Sequence, residues 1–383
     1  MEYRTLGKTG LRVSVVGFGP EWIGGWEQER VTELVRACEA EGVNIMDCWM
    51  ADPAIRASLG EAMAETGHRD QWIIQGHIGS TWQDGQYVRT RDIEKVRPAF
   101  EDQLRLLQTD HVELGIIHYV DSLEEFRGLM AGGEFLDYVH ELHSQGRIQH
   151  IGLSTHNPEV ALAATEYPEI EMIMFSVNPA FDTMPASDDL NTLFGDLSEG
   201  GNGIDPVRAQ LYATCEKENV GITVMKGFAG GRLLDADKSP FGVALKPVQC
   251  IHYALTRPAV CAFMGGYTSV DQVKEAAAYC QTAPEELDYA SVLAGAPQHG
   301  YRGACIYCGH CQPCVVGITI ATVNKFLDLA VMQQDVPDSL QGHYDALEAK
   351  AGDCIHCRSC EPNCPFGVKI ASRMEQAALV FGR

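Results

Sequence analysis

The sequence predicts an α/β protein in which a (β/α)8 barrel is followed by a small cysteine-rich domain. Between residues 12 and 266, short runs of β-branched and apolar residues alternate with longer amphipathic stretches, a pattern typical of parallel strands joined by helices. Eight of the 14 cysteines fall after residue 300. A chain of 383 residues with 45% hydrophobic content can bury one large core and still form a second module.

The predicted strands are short and rich in β-branched or apolar residues. They are Arg12–Gly19, Asn44–Trp49, Gln71–Ile78, Val112–Val120, Ile148–His156, Glu171–Asn178, Gly221–Phe228 and Ala259–Gly266. Eight strands, each followed by a helix or a long connection, predict a closed parallel barrel whose active site lies at the carboxyl ends of the strands.

Amphipathic helices are predicted between these strands, where apolar residues recur three and four positions apart. They include Gln28–Glu41, Ile93–Gln108, Glu134–Gln145 and Pro206–Asn219. In the C-terminal part, Ala321–Gln334 and Ser339–Lys350 also have helical patterns. We expect a barrel over residues 1–285 and the cysteine-rich domain over residues 286–383.

The C-terminal cysteines form two runs with the spacing of iron–sulfur ligands. The first is Cys305-x2-Cys308-x2-Cys311-x2-Cys314, and the second is Cys354-x2-Cys357-x2-Cys360-x3-Cys364-Pro365. In two-cluster ferredoxins the fourth cysteine of each run binds the other cluster. The spacing therefore predicts two [4Fe-4S] clusters with crossed ligand sets. Cys305, Cys308, Cys311 and Cys364 would hold the first cluster, and Cys314, Cys354, Cys357 and Cys360 the second.

Two other uses of these cysteines remain open. Four thiolates can also bind zinc, although zinc modules usually separate their ligands into two pairs rather than an unbroken triple. A disulfide framework is disfavoured because the chain is long and begins with a polar segment rather than a secretory signal.

The net charge limits the choice of partner and location. A formal charge of −23 argues against nucleic acid and against anionic membrane surfaces, and no apolar stretch reaches the length of a membrane span. The remaining cysteines lie in apolar stretches, where a reduced thiol behaves as a small hydrophobic group. We therefore expect a cytoplasmic protein that acts on a small molecule and exchanges electrons with a soluble carrier.

Several separated motifs resemble the aldo/keto reductase family, in the branch fused to a ferredoxin-like module. They are Tyr3–Leu11, Asp47, Leu59–Ala62, Ile117–His118, Gly152–Asn157, Met225–Lys226 and Gly230–Leu233. The resemblance covers residues 1 to about 280 and implies an oxidoreductase.

The resemblance carries over only part of the family's catalytic set of aspartate, tyrosine, lysine and histidine. Asp47 and His118 match the aspartate and the histidine. The position of the proton-donating tyrosine is Asp52, and the position of the lysine is His77. A non-standard proton donor is therefore expected, and Asp47, His77, His118 and Asp52 are the candidate catalytic residues.

The family's nicotinamide cofactor is also only partly supported. The expected glutamine aligns with Met174 and the expected aromatic partner with Met225, and residues 266–276 lack the basic groups for a 2′-phosphate. Candidate contacts with NAD(P) that remain are Ser154, Asn178, Lys226, Gly265 and Gly266.

Four polar residues end neighbouring strands of the predicted barrel: Asp47, His77, His118 and His156. If Asp47 pairs with His77, the carboxylate favours the imidazolium form, so that His77 or His118 could act as general acid. A bound zinc or iron(II) ion is the alternative use of three imidazoles and one carboxylate. Trp22, Trp26, Trp49 and Trp82 lie near the same loops and would suit a flat aromatic substrate, or they simply pack the loops.

Three functions fit these features. The chain could be an NAD(P)-dependent reductase with a replaced proton donor, a reductase fed by a ferredoxin through its clusters, or an electron-transfer subunit without catalysis. The fold alone does not choose among them.

Overall fold

The computed structural model describes residues 1–187, 203–296, 303–333 and 335–382. Its main feature is a closed barrel of eight parallel strands. The barrel strands are Val16–Phe18 (β3), Ile45–Cys48 (β4), Ile73–Ile78 (β5), Val112–Ile117 (β8), Ile148–Thr155 (β9), Met172–Ser176 (β10), Gly221–Met225 (β11) and Val260–Gly265 (β12). Parallel pairing of β12 with β3 closes the barrel. The predicted α/β barrel is confirmed.

The prediction for the first strand was wrong in one respect, because Arg12–Gly19 is two strands rather than one. Arg12–Ser14 (β2) pairs antiparallel with Tyr3–Thr5 (β1), outside the barrel. The chain turns after Ser14, whose hydroxyl donates to the carbonyl of Val16 at 2.7 Å. Leu6 and Val13 are buried with apolar residues of the barrel interior. The hairpin therefore covers the end of the barrel at which the strands begin.

A second hairpin lies between β5 and the next helix and was not predicted. Ser80–Gln83 (β6) pairs antiparallel with Gln86–Arg89 (β7), and Trp82 lies opposite Tyr87. The turn has positive φ angles at Asp84 (51°) and Gly85 (79°). Asp-Gly between alternating residues is a strong hairpin signal because both positions tolerate positive φ. The sequence thus contained a local signal for this element.

Helices surround the barrel and continue into the C-terminal part. Those that pack on the barrel are Gln28–Ala40 (α1), Pro53–Thr66 (α2), Ile93–Leu106 (α3), Leu123–Met130 (α4), Glu134–Ser144 (α5), Pro158–Ala164 (α6), Pro206–Lys217 (α7), Pro247–Leu255 (α8) and Val270–Ala277 (α9). The C-terminal helices are Tyr289–Ala294 (α10), Ile320–Val331 (α11), Asp338–Asp345 (α12) and Ile370–Phe381 (α13). The four barrel helices predicted from periodicity are confirmed, with C-terminal ends one or two residues earlier than expected. None of the helices in the described part of the chain is long and apolar enough to cross a membrane.

The C-terminal domain packs against the outside of the barrel next to α8. The rings of Tyr253 in α8 and Tyr289 in α10 lie 5.2 Å apart, and the Tyr289 hydroxyl donates to the carbonyl of Ile306 at 2.9 Å. Ile306 belongs to the first cysteine run. The first run therefore faces the barrel wall.

Candidate active site and cluster ligands

A cavity of about 210 Å³ opens at the carboxyl ends of the barrel strands. It is lined by Gly19, Glu21, Asp47, Trp49, His77, Tyr87, His118, Tyr119, Ser154, His156, Met174, Met225, Lys226 and Met264. Barrel strands of this fold end at a common face, and this is where their active sites form. The structure therefore brings together residues from all eight barrel strands or the loops that follow them.

An unbroken series of hydrogen bonds crosses one side of the cavity. Asp47 Oδ1 lies 2.8 Å from His77 Nε2, and His77 Nδ1 lies 2.7 Å from His118 Nδ1. His118 Nε2 then lies 2.7 Å from the hydroxyl of Tyr87. Asp47, His77 and His118 are each at most 4% exposed, and Gln75 Nε2 also donates to Asp47 at 2.9 Å. We call these four residues, Asp47, His77, His118 and Tyr87, the relay.

Two arrangements of protons satisfy every contact in the relay. When both rings are neutral, the Tyr87 hydroxyl donates to His118 Nε2 and His118 Nδ1–H donates to His77 Nδ1. His77 Nε2–H then donates to Asp47. When one proton is added, His77 becomes an imidazolium that donates to both neighbours, and His118 Nε2–H donates to the oxygen of Tyr87. The Tyr87 proton is then free to point into the cavity.

The surroundings of the two rings differ. Burial lowers the pKa of His118 well below its ordinary value, and the nearby His77 acts in the same direction. An added proton is therefore disfavoured on His118, whereas the ring of His77 contacts the buried carboxylate of Asp47 at 2.8 Å. Burial raises the pKa of Tyr87 to about 12, so its hydroxyl stays protonated at neutral pH and can serve as a donor.

Asp52, a predicted catalytic residue, does not join this group. Its carboxylate accepts a hydrogen bond from the backbone N–H of Ala54 at 2.8 Å and caps the N-terminus of α2, with Pro53 as the first helical residue. It is absent from the lining of the cavity. The residue at the position of the family's tyrosine, Asp52, therefore caps a helix in this chain.

His156 lines the cavity but is held by a separate carboxylate. Its Nδ1 lies 2.9 Å from Asp121 Oδ2, and its backbone N–H donates to Asp121 Oδ1 at 2.7 Å. Ser154 also lines the cavity, and its hydroxyl accepts the backbone N–H of Tyr119 at 3.0 Å. Both residues can contact a ligand, but neither belongs to the relay.

A second cavity, of about 360 Å³, adjoins the first and shares Glu21, Lys226 and Met264 with it. Lys226 and Gly266 from the predicted cofactor set line it. Asn178 instead supports the loop, since its amide nitrogen donates to the carbonyl of Lys226 at 2.9 Å and its oxygen accepts two backbone N–H groups. Gly265 ends β12 and is absent from both linings.

The second cavity fits NADPH poorly. A side chain at Gly266 would collide with the ring of Trp22, so this chain's own indole occupies the space against that glycine. Glu21 and Glu275 line the cavity, with Lys226 as its single cation within the described residues. This charge balance disfavours a pyrophosphate and a 2′-phosphate.

Glu21 lies at the junction of the two cavities. Burial raises the pKa of its carboxyl group to about 7, and the charge of Asp47 acts in the same direction, whereas Lys226 opposes it. Glu21 is thus a second group that can hold a proton at the cavity near neutral pH. The sequence prediction missed it because nothing local distinguishes this glutamate from a solvated loop residue.

The predicted tryptophan wall is only partly present. Trp49 lines the first cavity, where its ring lies parallel to that of His118 with centroids 6.2 Å apart. Trp22 lines the second cavity and is 63% exposed. Trp26 stacks on the guanidinium of Arg30 at 3.5 Å, and Trp82 lies in β6, away from both linings. Tyr87 meets Trp49 edge to face at 5.5 Å, so Trp49 and Tyr87 form the aromatic side of the cavity.

The cysteines of the C-terminal domain fall into the two crossed sets expected from their spacing. One small cavity is lined by Cys305, Cys308, Cys311 and Cys364. A second is lined by Cys314, Cys354, Cys357 and Cys360. We call these sets the first and second cysteine sets. The residues present therefore fit one cluster in each cavity.

The backbone of the two cysteine runs repeats the same conformation. Left-handed residues flank the middle cysteine of each triple: Tyr307 (φ 59°) and Gly309 (81°) in the first run, and His356 (55°) and Arg358 (59°) in the second. Such residues curve the chain tightly. The two runs therefore curve in the same way around their cysteines. Among the described residues, no group of three His, Cys, Asp or Glu side chains could hold a single metal ion.

Comparison with known protein families matches residues 16–244 to the aldo/keto reductase family and residues 304–369 to a 4Fe-4S dicluster domain. Aldo-keto reductase YhdN of Bacillus subtilis is 29% identical over 166 residues, which are 42% of this chain and 48% of that protein. The NADH-specific methylglyoxal reductase of Escherichia coli is 22% identical over 184 residues, which are 44% of this chain and 54% of that protein. The chain thus spans about half the length of these curated relatives.

A solved structure, aldo-keto reductase AKR11C1 from Bacillus halodurans in its holo form, superimposes with a TM-score of 0.59 at 20% identity. The superposition covers 76% of this chain and 96% of that one, and it shows a shared fold. The family match covers more than half of the chain, in the part that forms the barrel and the relay. The chain therefore belongs to the aldo/keto reductase family and carries a C-terminal 4Fe-4S dicluster domain.

Proposed function

We propose that the barrel cavity reduces a small organic carbonyl or aromatic substrate, with Tyr87 as the proton donor and two clusters as the source of electrons. The observation that carries this proposal is the relay, in which three contacts of 2.7 to 2.8 Å join a buried carboxylate to a hydroxyl at the cavity. Tyr87 reaches the cavity from a hairpin after β5 instead of from the position equivalent to Asp52.

The proton moves in a defined direction in this scheme. The cavity-facing hydroxyl of Tyr87 donates to the substrate oxygen as negative charge develops there. His118 Nε2–H replaces the proton on Tyr87, and His77 Nδ1–H replaces the one on His118 Nδ1. The relay begins with an imidazolium at His77 and ends neutral, so the tyrosine never becomes a phenolate. Reduction of a carbonyl by two single electrons consumes two protons, of which the relay supplies the one on oxygen. The carboxyl group of Glu21, whose pKa is raised to about 7 at the edge of the cavity, supplies the one on carbon. Asp47 keeps its charge and holds the ring of His77 in place.

The walls of the cavity restrict the substrate. Met174, Met225 and Met264 provide an apolar side, and Trp49 provides a flat aromatic one. Methionine adapts its shape and makes favourable contacts with rings. A volume of about 210 Å³ suits a molecule with about one ring. Support for a carbonyl comes from the Escherichia coli relative, whose name identifies a methylglyoxal reductase.

The electron source follows from the two cysteine sets. Clusters bound there would supply single electrons at low potential. The poor fit of the second cavity to NADPH supports delivery through these clusters from a soluble carrier protein. NADH, which the name of the Escherichia coli relative specifies, is the alternative, since it lacks the 2′-phosphate. A reducing cytoplasm is part of the proposal, because eight ligand thiols must remain reduced to bind iron.

The test begins with anaerobically purified protein. Iron and sulfide are assayed, and EPR spectra are recorded before and after addition of NADH, NADPH or dithionite. About eight irons per chain, with a reduced-cluster signal from dithionite alone and reduction of benzaldehyde by the dithionite-reduced protein, would support the proposal. A reduced-cluster signal produced by NADH would identify the nicotinamide as the source of electrons. His118→Ala is also assayed for electron flow to added carriers. If that flow is unchanged and no carbonyl is turned over, the protein would be an electron-transfer subunit, and the proposal would be contradicted.

A further inference from the structure

A buried arginine lies between the barrel and the first cysteine run. Arg257 follows α8 and is 1% exposed. One terminal nitrogen, NH2, donates to the carbonyl of Ile306 at 2.6 Å and to the hydroxyl of Thr256 at 3.0 Å. Within the part of the chain that the structure describes, its Nε and NH1 have no hydrogen-bond partner. A guanidinium that is buried with two unpaired N–H groups is costly, so it needs an explanation.

The surroundings of Arg257 place it beside the first cysteine set. Its hydrogen-bond acceptor, Ile306, stands between Cys305 and Cys308 in the chain. The guanidinium also lies over the ring of Tyr307, 5.2 Å from its centroid, and over the ring of Tyr253 at 4.6 Å. Both rings are apolar walls that exclude water. The charge therefore acts through a medium of low dielectric constant.

The buried carboxylate whose charge acts on this arginine is shared with a second cation. Asp182 is fully buried and accepts hydrogen bonds from two tyrosine hydroxyls, at 2.6 and 2.8 Å. A second buried guanidinium, Arg208, lies 3.7 Å from the same carboxylate. Burial raises the pKa of Asp182, although both arginines oppose this. A further carboxylate that acts on the first cysteine set, Asp328, is paired with Arg373 at 2.6 Å, so two buried guanidinium groups share Asp182.

We infer that Arg257 is the counter-ion of an iron–sulfur cluster held by Cys305, Cys308, Cys311 and Cys364, and that it raises the reduction potential of this cluster. A thiolate-bound cluster is anionic and becomes more so on reduction, so a nearby buried cation stabilises the reduced form. The inference rests on the proposed cluster ligands, but it does not depend on the substrate or on the relay. Arg257 is thus a positioning residue, because its charge acts on the cluster and it contacts no substrate.

The second cysteine set is more open to solvent. Cys357 is exposed, and Ile355, two residues before it, is 63% exposed. The first set, in contrast, contacts the barrel through buried groups. Arg257 donates to the carbonyl of Ile306 in the first cysteine run, and Tyr253, whose ring lies against the same guanidinium, donates to Asp182. The cluster beside Arg257 is therefore the one that adjoins the barrel, where a higher potential would collect electrons that enter at the exposed cluster.

The test is a redox titration of the anaerobic, cluster-loaded protein followed by EPR. Two variants change the buried charge in opposite directions: Arg257→Gln removes a positive charge, and the isosteric Asp182→Asn removes a negative one. We expect the midpoint potential of one cluster to fall in Arg257→Gln and to rise in Asp182→Asn, while the other cluster is unchanged. Repeating the titrations in a Cys357→Ser background, which disrupts the second set, assigns the shifted signal to the first.

The opposite signs separate charge from packing, because damage to packing would move both variants in the same direction. Iron content, assayed on each sample, shows whether the cluster is retained. If Arg257→Gln loses iron, Asp182→Asn alone decides the question. Unchanged potentials, shifts of the same sign in both variants, or a shift confined to the second cluster would overturn the inference.

Discussion

Replacing Tyr87 by phenylalanine removes the terminal hydroxyl of the relay and keeps the aromatic ring. The ring still packs edge to face on Trp49, so the wall of the cavity is preserved. His118 Nε2 loses its partner at 2.7 Å in a residue that is 4% exposed. A proton from His118 would then have to cross the gap that the Tyr87 hydroxyl now fills before it reached the substrate.

The size of the effect follows from these contacts. A positioned general acid contributes roughly 10²- to 10⁴-fold to a rate. This corresponds to about 3 to 5 kcal/mol in the barrier. An unpaired nitrogen in a buried ring costs about 1 to 3 kcal/mol of stability. We therefore expect Tyr87→Phe to remain folded, with a loss of about 1 to 3 kcal/mol in the free energy of unfolding and a large loss of turnover.

Two measurements test this expectation. The first is rapid mixing of dithionite-reduced, cluster-loaded protein with benzaldehyde, in which the product is quantified over time. The second needs no substrate: ¹⁵N NMR of labelled histidine reports the protonation and hydrogen bonding of each ring nitrogen. Tyr119→Phe is the matched control, since Tyr119 also lines the cavity but is not part of the relay. A rate for Tyr87→Phe within about threefold of wild type, with unchanged His118 resonances, would refute the role of Tyr87 as proton donor.

Three further predictions follow from individual side chains. Asp47→Asn weakens the buried contact with His77 at 2.8 Å. We expect a loss of about 3 kcal/mol in urea unfolding, and an unchanged stability would contradict a structural role for this contact. Because burial raises the pKa of Glu21 to about 7 from an ordinary value of 4.5, the unfolded chain releases this proton at lower pH than the folded chain. Stability should fall by up to about 3 kcal/mol as pH rises between these two values, and urea titrations of Glu21→Gln at pH 5 and 8 should lack that part of the decline. Asp52→Ala should cost about 1 kcal/mol through loss of the helix cap and leave turnover unaltered; a large loss of turnover in stably folded protein would restore Asp52 as a catalytic candidate.

The sequence by itself determined the barrel, the positions of several helices and the grouping of the C-terminal cysteines. The order of polar and apolar residues shows where a strand period changes to a helix period, because each element must present one apolar face to the core. The cysteine spacing is equally local, since three thiolates two residues apart can bind one cluster only if the chain wraps around it. For the same reason Asp47, His77 and His118 could be placed at strand ends before their distances were known.

Only the tertiary structure decided which groups meet. Tyr87 lies ten residues beyond His77 on a hairpin, and the fold of that hairpin over the cavity brings its hydroxyl to His118. Arg257 and Ile306 are 49 positions apart, and they meet because the C-terminal domain packs against α8. Local patterns encode elements with a fixed period, whereas a proton relay or a buried counter-ion depends on the closure of the barrel and on packing between distant segments. The physical reason is that hydrogen bonds and burial act over a few ångströms in space, whatever the separation along the chain.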